Sequence, residues 1–114
     1  MSPALEQVEL LANQAFEQGK VIPTRCTYLR YEPRSVKLCG CALGAATYMK
    51  TGCQCIESIG VMKSLGVTSD EMAGVIDGFD GREYCFEPER SDIVAAYNLG
   101  KRLADKWLPK QGSE

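Results

Sequence analysis

Six cysteines and no histidine define the chemistry open to this 114-residue chain. Four of the thiols fall in two Cys-x-Cys pairs, Cys39-Gly-Cys41 and Cys53-Gln-Cys55, with Cys26 and Cys85 standing alone on either side. Four thiolates can hold zinc tetrahedrally, so Cys39, Cys41, Cys53 and Cys55 form a candidate metal or redox set. The spacing counts against it. Structural zinc pairs usually place about two to four residues between the thiols, and residues i and i+2 of a helix lie on nearly opposite sides. Cys41 also falls on an apolar stripe, where free cysteine behaves as a small hydrophobe. The Cys53–Cys55 pair is better placed for reactivity, because it precedes a helix and a helix N-terminus lowers a thiol pKa. Without histidine, a cysteine nucleophile lacks its ordinary base. The chain has no Walker loop and no Gly-x-Gly-x-x-Gly motif.

Charge supplies two further candidates. Residues 20 to 37 carry five basic side chains and one acidic, whereas residues 53 to 92 carry three basic and nine acidic. In the basic stretch Arg25, Tyr28, Arg30, Tyr31, Arg34 and Lys37 interleave cations with aromatics. Such a ribbon could track phosphates and stack bases. It also fits a plain hairpin with tyrosines inward, and the overall charge of −2 disfavours nucleic acid as a partner. In the acidic stretch Asp77, Asp80, Glu83 and Glu87 could meet a hard cation. The EF-hand pattern fails there: with Gly81 as the loop glycine, Ile76 and Gly78 stand where carboxylates are required. Asp80 sits between Gly78 and Gly81, where an aspartate can hold a turn through backbone N–H groups or face a cleft and bind.

The elements that must position these residues follow from periodicity. Residues 3 to 18 read as an amphipathic helix with Ser2 as cap, Pro3 in the first turn and Leu5, Val8, Leu11, Ala12, Ala15 and Phe16 on one face. Strand formers on both sides of Pro33 predict a β-hairpin over about 24–39. Residues 40 to 50 predict a helix apolar on two sides, with Cys41, Gly44, Ala45 and Tyr48 on one stripe and Cys39, Leu43 and Ala46 on the other. A helix over 54–65 should turn Ile56, Ile59 and Met62 inward. Thr68-Ser-Asp-Glu71 is a capping box that opens a helix carrying Met72, Val75, Ile76 and Phe79. A last helix should reach Leu108, with Ile93, Tyr97, Gly100, Leu103, Ala104, Trp107 and Leu108 on one face.

The expected fold is therefore mainly α (α+β): a compact bundle of four to five helices around the small-residue helix 40–50, with one short hairpin. Residues 1–109 should form a single domain and 110–114 a disordered tail. No signal peptide is visible and the longest uncharged run, Leu38 to Met49, is too short to span a bilayer, which points to a cytoplasmic protein with no membrane partner.

Leu38-Cys-Gly-Cys-Ala-Leu-Gly-Ala-Ala46, the segment ending in Gly78-Phe79-Asp80, and a helix with Ala95-Ala96 and Leu103 together resemble a group of small uncharacterised phage and bacterial proteins. Those carry a Cys-Ala-Leu-Gly-Ala helix, and Asn-Asp where this chain has Phe79-Asp80. The resemblance implies the same helical order and positional roles for Cys41 and Asp80, and it brings no activity with it. The expectation for function is a non-catalytic binding or accessory protein without a cofactor, acting as a homodimer or on a protein partner. A thiol or metal protein and a weak nucleic-acid binder are the alternatives.

Overall fold

The computed structural model describes residues 2–25, 29–32, 37–52, 57–83 and 91–108. Helix α1 (Pro3–Glu17) starts where Ser2, in extended conformation, accepts the Leu5 N–H at 3.2 Å. Its apolar stripe, Leu5, Val8, Ala12, Ala15 and Phe16, is buried. Three short strands form one sheet: β1 (Val21–Pro23), β2 (Arg30–Glu32) and β3 (Lys37–Gly40), in the order β1-β3-β2. Four helices complete the described fold: α2 (Ala42–Thr51), α3 (Ser58–Leu65), α4 (Ser69–Asp80) and α5 (Ser91–Trp107). The protein is mainly α with a small β element. One core runs from Leu5 to Leu108 and draws on all five helices and on the sheet.

The hairpin is real but shorter than its sequence suggests. β2 and β3 pair antiparallel, Arg30 opposite Cys39 and Glu32 opposite Lys37. Of the described residues just before β2, none of Thr24, Arg25 and Leu29 belongs to that strand. Instead Val21–Pro23 pairs parallel to β3, Val21 opposite Leu38, because Val21 is needed in the core beside α1. Pro33, Arg34 and Tyr28 lie outside the described residues, as does the tail 110–114.

Helix α2 is the buried centre: every residue from Ala42 to Thr47 is buried. It begins two residues later than its apolar pattern predicts. Cys39 belongs to β3, and Cys41 is the extended residue at the strand-to-helix junction. The helical stripe of Cys39 with Leu43 and Ala46 therefore does not exist. In α3, Val61 and Leu65 face the core, while Ile59 is 56% exposed rather than inward. The described helix starts at Ser58, so its buried face is fixed by the four-residue step from Val61 to Leu65. Ile56 lies outside the described residues.

The closest packing joins α4 to α5. A Cβ built on Gly78 would stand 2.1 Å from the Tyr97 carbonyl oxygen, and one on Gly100 would stand 2.3 Å from the Val75 carbonyl oxygen. Gly74 meets the Cβ of Ala96 at 2.9 Å in the same way. Gly74 and Gly78 are one turn apart, as are Ala96 and Gly100, so two small-residue rows let the backbones touch. Around this crossing Phe79 and Leu99 are fully buried, and Phe16 stacks on Phe79 at 6.3 Å between ring centroids. Trp107 closes the end of the core, 5.7 Å from Phe16, and donates its indole N–H to Asn13 at 2.7 Å.

Candidate functional site

Cys39 and Cys41, two of the residues singled out for chemistry, lie at the junction where β3 runs into α2. Parallel pairing carries β1 and β3 to the same end of the sheet, and the Thr24 N–H extends it with a 2.8 Å bond to the Gly40 carbonyl. Arg25 lies two residues beyond the end of β1, and Cys41 one residue beyond the end of β3. Arg25 reaches the last turn of α4, where its Nε donates to the Phe79 carbonyl at 3.2 Å. A cation at a helix C-terminus satisfies an orphan carbonyl and complements the negative pole of the helix. Gly81 makes room for it. With φ at +80° it closes α4 in the left-handed conformation, and a Cβ there would come within 3.6 Å of the Arg25 guanidinium.

Cys41 shows two opposed effects on one thiol. It stands at the N-terminus of α2, and backbone hydrogen bonds from Leu43 and Gly44 favour its thiolate. Burial opposes them and wins. Removal from water, with a smaller contribution from the negative charge of Asp80, pushes the thiol up to about 11. At neutral pH Cys41 is therefore a protonated, buried thiol, a poor nucleophile and a poor metal ligand. Cys39 is buried as well, and both are free thiols. Because β3 and Cys41 are extended, the two side chains are not held on opposite sides as a helix would hold them. The geometric objection to the pair thus lapses and burial replaces it. Cys53 and Cys55 lie outside the described residues. Among the described residues no three histidine, cysteine or carboxylate side chains gather as a metal would require.

Asp80 is the last residue of α4 rather than the first of a loop, and its charge acts on Cys41 at the start of α2. The α4 end is closed by its own backbone, the Arg82 N–H bonding the Asp77 carbonyl at 2.9 Å. Of the basic set, Arg25 is drawn into the fold, Arg30 is exposed on β2, and Lys37 opens β3. The structure therefore brings Arg25 to the last turn of α4, which ends in Asp80, and sets the charge of Asp80 against Cys41, while Arg30 is exposed on β2.

Two long-range polar features escaped sequence reasoning, the bond from Ser2 to Glu71 and a groove between α1 and α5. The buried Glu71 completes the capping box, its Oε1 accepting the Thr68 N–H at 3.0 Å, and it also accepts the Ser2 hydroxyl at 2.7 Å. One carboxylate thus ties the N-termini of α1 and α4. A groove of about 460 Å³ also runs between α1 and α5, lined by Glu9, Asn13, Arg102, Leu103, Asp105 and Lys106. Arg102 and Glu9 bridge it at 3.2 Å. The capping-box spacing signalled Glu71 in advance, but its partner Ser2 is 69 positions away and left no local pattern.

No helix among the described residues is long and apolar enough to cross a membrane. Comparison with protein-family models, with curated proteins and with solved structures returns no match for this chain.

Proposed function

We propose that the chain is a non-catalytic binding or accessory protein that works through its surface. The observation that carries this reading is the use made of Cys41 and Arg25. Cys41, from the thiol or metal set, is a buried thiol raised to about 11. Arg25, from the phosphate-binding set, donates its Nε to the Phe79 carbonyl in the last turn of α4. Each rival chemistry thereby has one of its candidate residues taken up by the fold, and the reading that needs neither is the better supported.

Metal analysis of protein purified under reducing conditions, paired with nucleic-acid gel shifts at two salt concentrations, tests it. The expected result is no stoichiometric zinc or iron and no salt-dependent shift. Stoichiometric metal lost on replacing Cys53 and Cys55 would establish the thiol reading instead. Retardation that weakens steeply with salt would establish phosphate contacts.

A further inference from the structure

The groove between α1 and α5 pairs off its wall residues unequally. On the α1 wall Glu9 and Asn13 stand one turn apart, and on the α5 wall Arg102 and Lys106 do the same. The first pair is closed, the Arg102 guanidinium meeting the Glu9 carboxylate at 3.2 Å. The second pair has a cation, Lys106, and a neutral amide, Asn13, and Trp107 holds both. The Lys106 Nζ lies 5.1 Å from the centre of the Trp107 ring, and the Trp107 indole N–H donates to the Asn13 Oδ1 at 2.7 Å. An indole N–H can only donate, so it fixes the Asn13 amide with its oxygen toward Trp107 and its NH2 away from it. Among the described residues no carboxylate pairs with Lys106. The second pair therefore offers two donors, an ammonium and an amide, and its one acceptor, the Asn13 oxygen, is already taken.

We infer that this end of the groove receives the free C-terminal carboxylate of a partner polypeptide. A carboxylate supplies the missing acceptor and the single negative charge that Lys106 lacks. Asp105, exposed on the same wall, opposes a second negative charge, which sets a carboxylate ahead of a phosphate. The Asp105 oxygens can also accept from the peptide N–H groups that precede a chain end, and a simple organic acid has none. Leu10, three residues before Asn13 on α1 and 58% exposed, offers an apolar side chain beside the site for the last residue of that chain. This rests on the surface-binding reading above and names the surface and the partner. One charged contact and one apolar contact make a weak complex, with a dissociation constant of about 1 mM.

Titration of the full chain followed by nuclear magnetic resonance tests this. Trp107 is the only tryptophan, so its indole N–H resonance reports on this end of the groove alone. The probe is the N-acetylated peptide Gly-Gly-Ala-Leu, as the free acid or as its C-terminal amide, up to about 5 mM. The expected result is a saturable shift of the indole resonance with the acid, and binding of the amide about tenfold weaker or more. Lys106→Gln should weaken binding of the acid about tenfold, whereas Lys101→Gln, which removes an exposed cation outside the groove, should leave it unchanged. Asn13→Asp keeps an oxygen toward the indole and gives Lys106 a carboxylate from the chain itself, so it should abolish binding. Circular dichroism establishes that each variant is folded, and if Asn13→Asp does not fold, Lys106→Gln decides the matter. No shift, an amide that binds as well as the acid, or equal effects of Lys101→Gln and Lys106→Gln overturns the inference. So does hexanoate binding as tightly as the peptide, which would make a small organic acid the occupant. Each of these outcomes leaves the surface-binding reading standing, since that falls only to metal or salt-dependent nucleic-acid binding.

Discussion

The α4–α5 crossing and the three-stranded sheet hold the chain together in opposite ways. At the crossing, side chains are removed: Gly78 and Gly100 bring two helix backbones into contact, and Phe79 and Leu99 around them are fully buried. In the sheet, the longest strand has only four residues, and one edge strand carries a charged residue on each side of a tyrosine. The crossing leaves no room for an added atom, while the sheet holds β3 through three paired positions on each side. Polar chemistry is found between them, at the β3–α2 junction, and there it serves the fold. The difference teaches that a residue's chemical type does not decide its use. Cys41 sits at a helix N-terminus, a position that ordinarily activates a thiol, yet burial reverses the effect.

The most damaging single change should be at the crossing. Gly78→Ala drives a methyl group into the Tyr97 carbonyl, and neither helix backbone can yield cheaply. The expected cost is about 3 kcal/mol or more, read by denaturant unfolding. A variant with wild-type stability would show that the helices slide apart easily, and the contrast with the sheet would collapse. Next, Glu71→Ala removes the acceptor shared by Thr68 and Ser2 and should cost about 1–3 kcal/mol. Ser2→Ala combined with Glu71→Ala should be less than additive, because the two residues share one bond.

The junction makes a prediction in pH. The Cys41 thiol loses its proton near 9 in the unfolded chain and at about 11 in the folded one. Between those values the folded state holds the extra proton, so stability falls as pH rises through that window, by about 2–3 kcal/mol at most. Below pH 9 the contribution is constant. Unfolding curves of the wild type and of Cys41→Ala should diverge across this window and run parallel below it. Asp80→Asn should narrow the window, since the Asp80 charge helps to raise the thiol. The smallest effect should come from Arg25→Met, which keeps the alkyl stem and removes the guanidinium from the Phe79 carbonyl. A loss of about 1 kcal/mol is expected. Unchanged stability accompanied by loss of nucleic-acid binding would instead mark Arg25 as a phosphate contact.

Much of this architecture was legible locally. The Ser2 and Thr68 caps, the apolar face of α1 and the small, buried character of α2 all follow from residues within a few turns of one another. Strand β1 was not legible, because three residues that pair with a partner 17 positions away in sequence leave no periodicity of their own. The start of α2 was misplaced for a related reason: Cys39 and Gly40 fit an apolar helix as well as a buried strand, and only pairing with Ile22 and Pro23 decides between them. The crossing of α4 and α5 was half visible. Gly74, Gly78, Ala96 and Gly100 carry the four-residue spacing, but single glycines near a helix end also read as stops. At the junction, Cys41 and Asp80 were both marked for position. That Arg25 would join them depends on where β1 delivers it, which no local signal contains.

The claim that the chemically capable residues serve the fold is tested most directly by mapping alkylation of the thiols by mass spectrometry at neutral pH, native against unfolded. Trypsin releases Cys39 and Cys41 together on the fragment between Lys37 and Lys50, so their state is read separately from the other cysteines. The expected result is that this fragment stays unmodified in the native protein and takes two alkyl groups once the chain is unfolded. Rapid native alkylation of Cys41 would contradict it, showing an accessible and activated thiol at the head of α2.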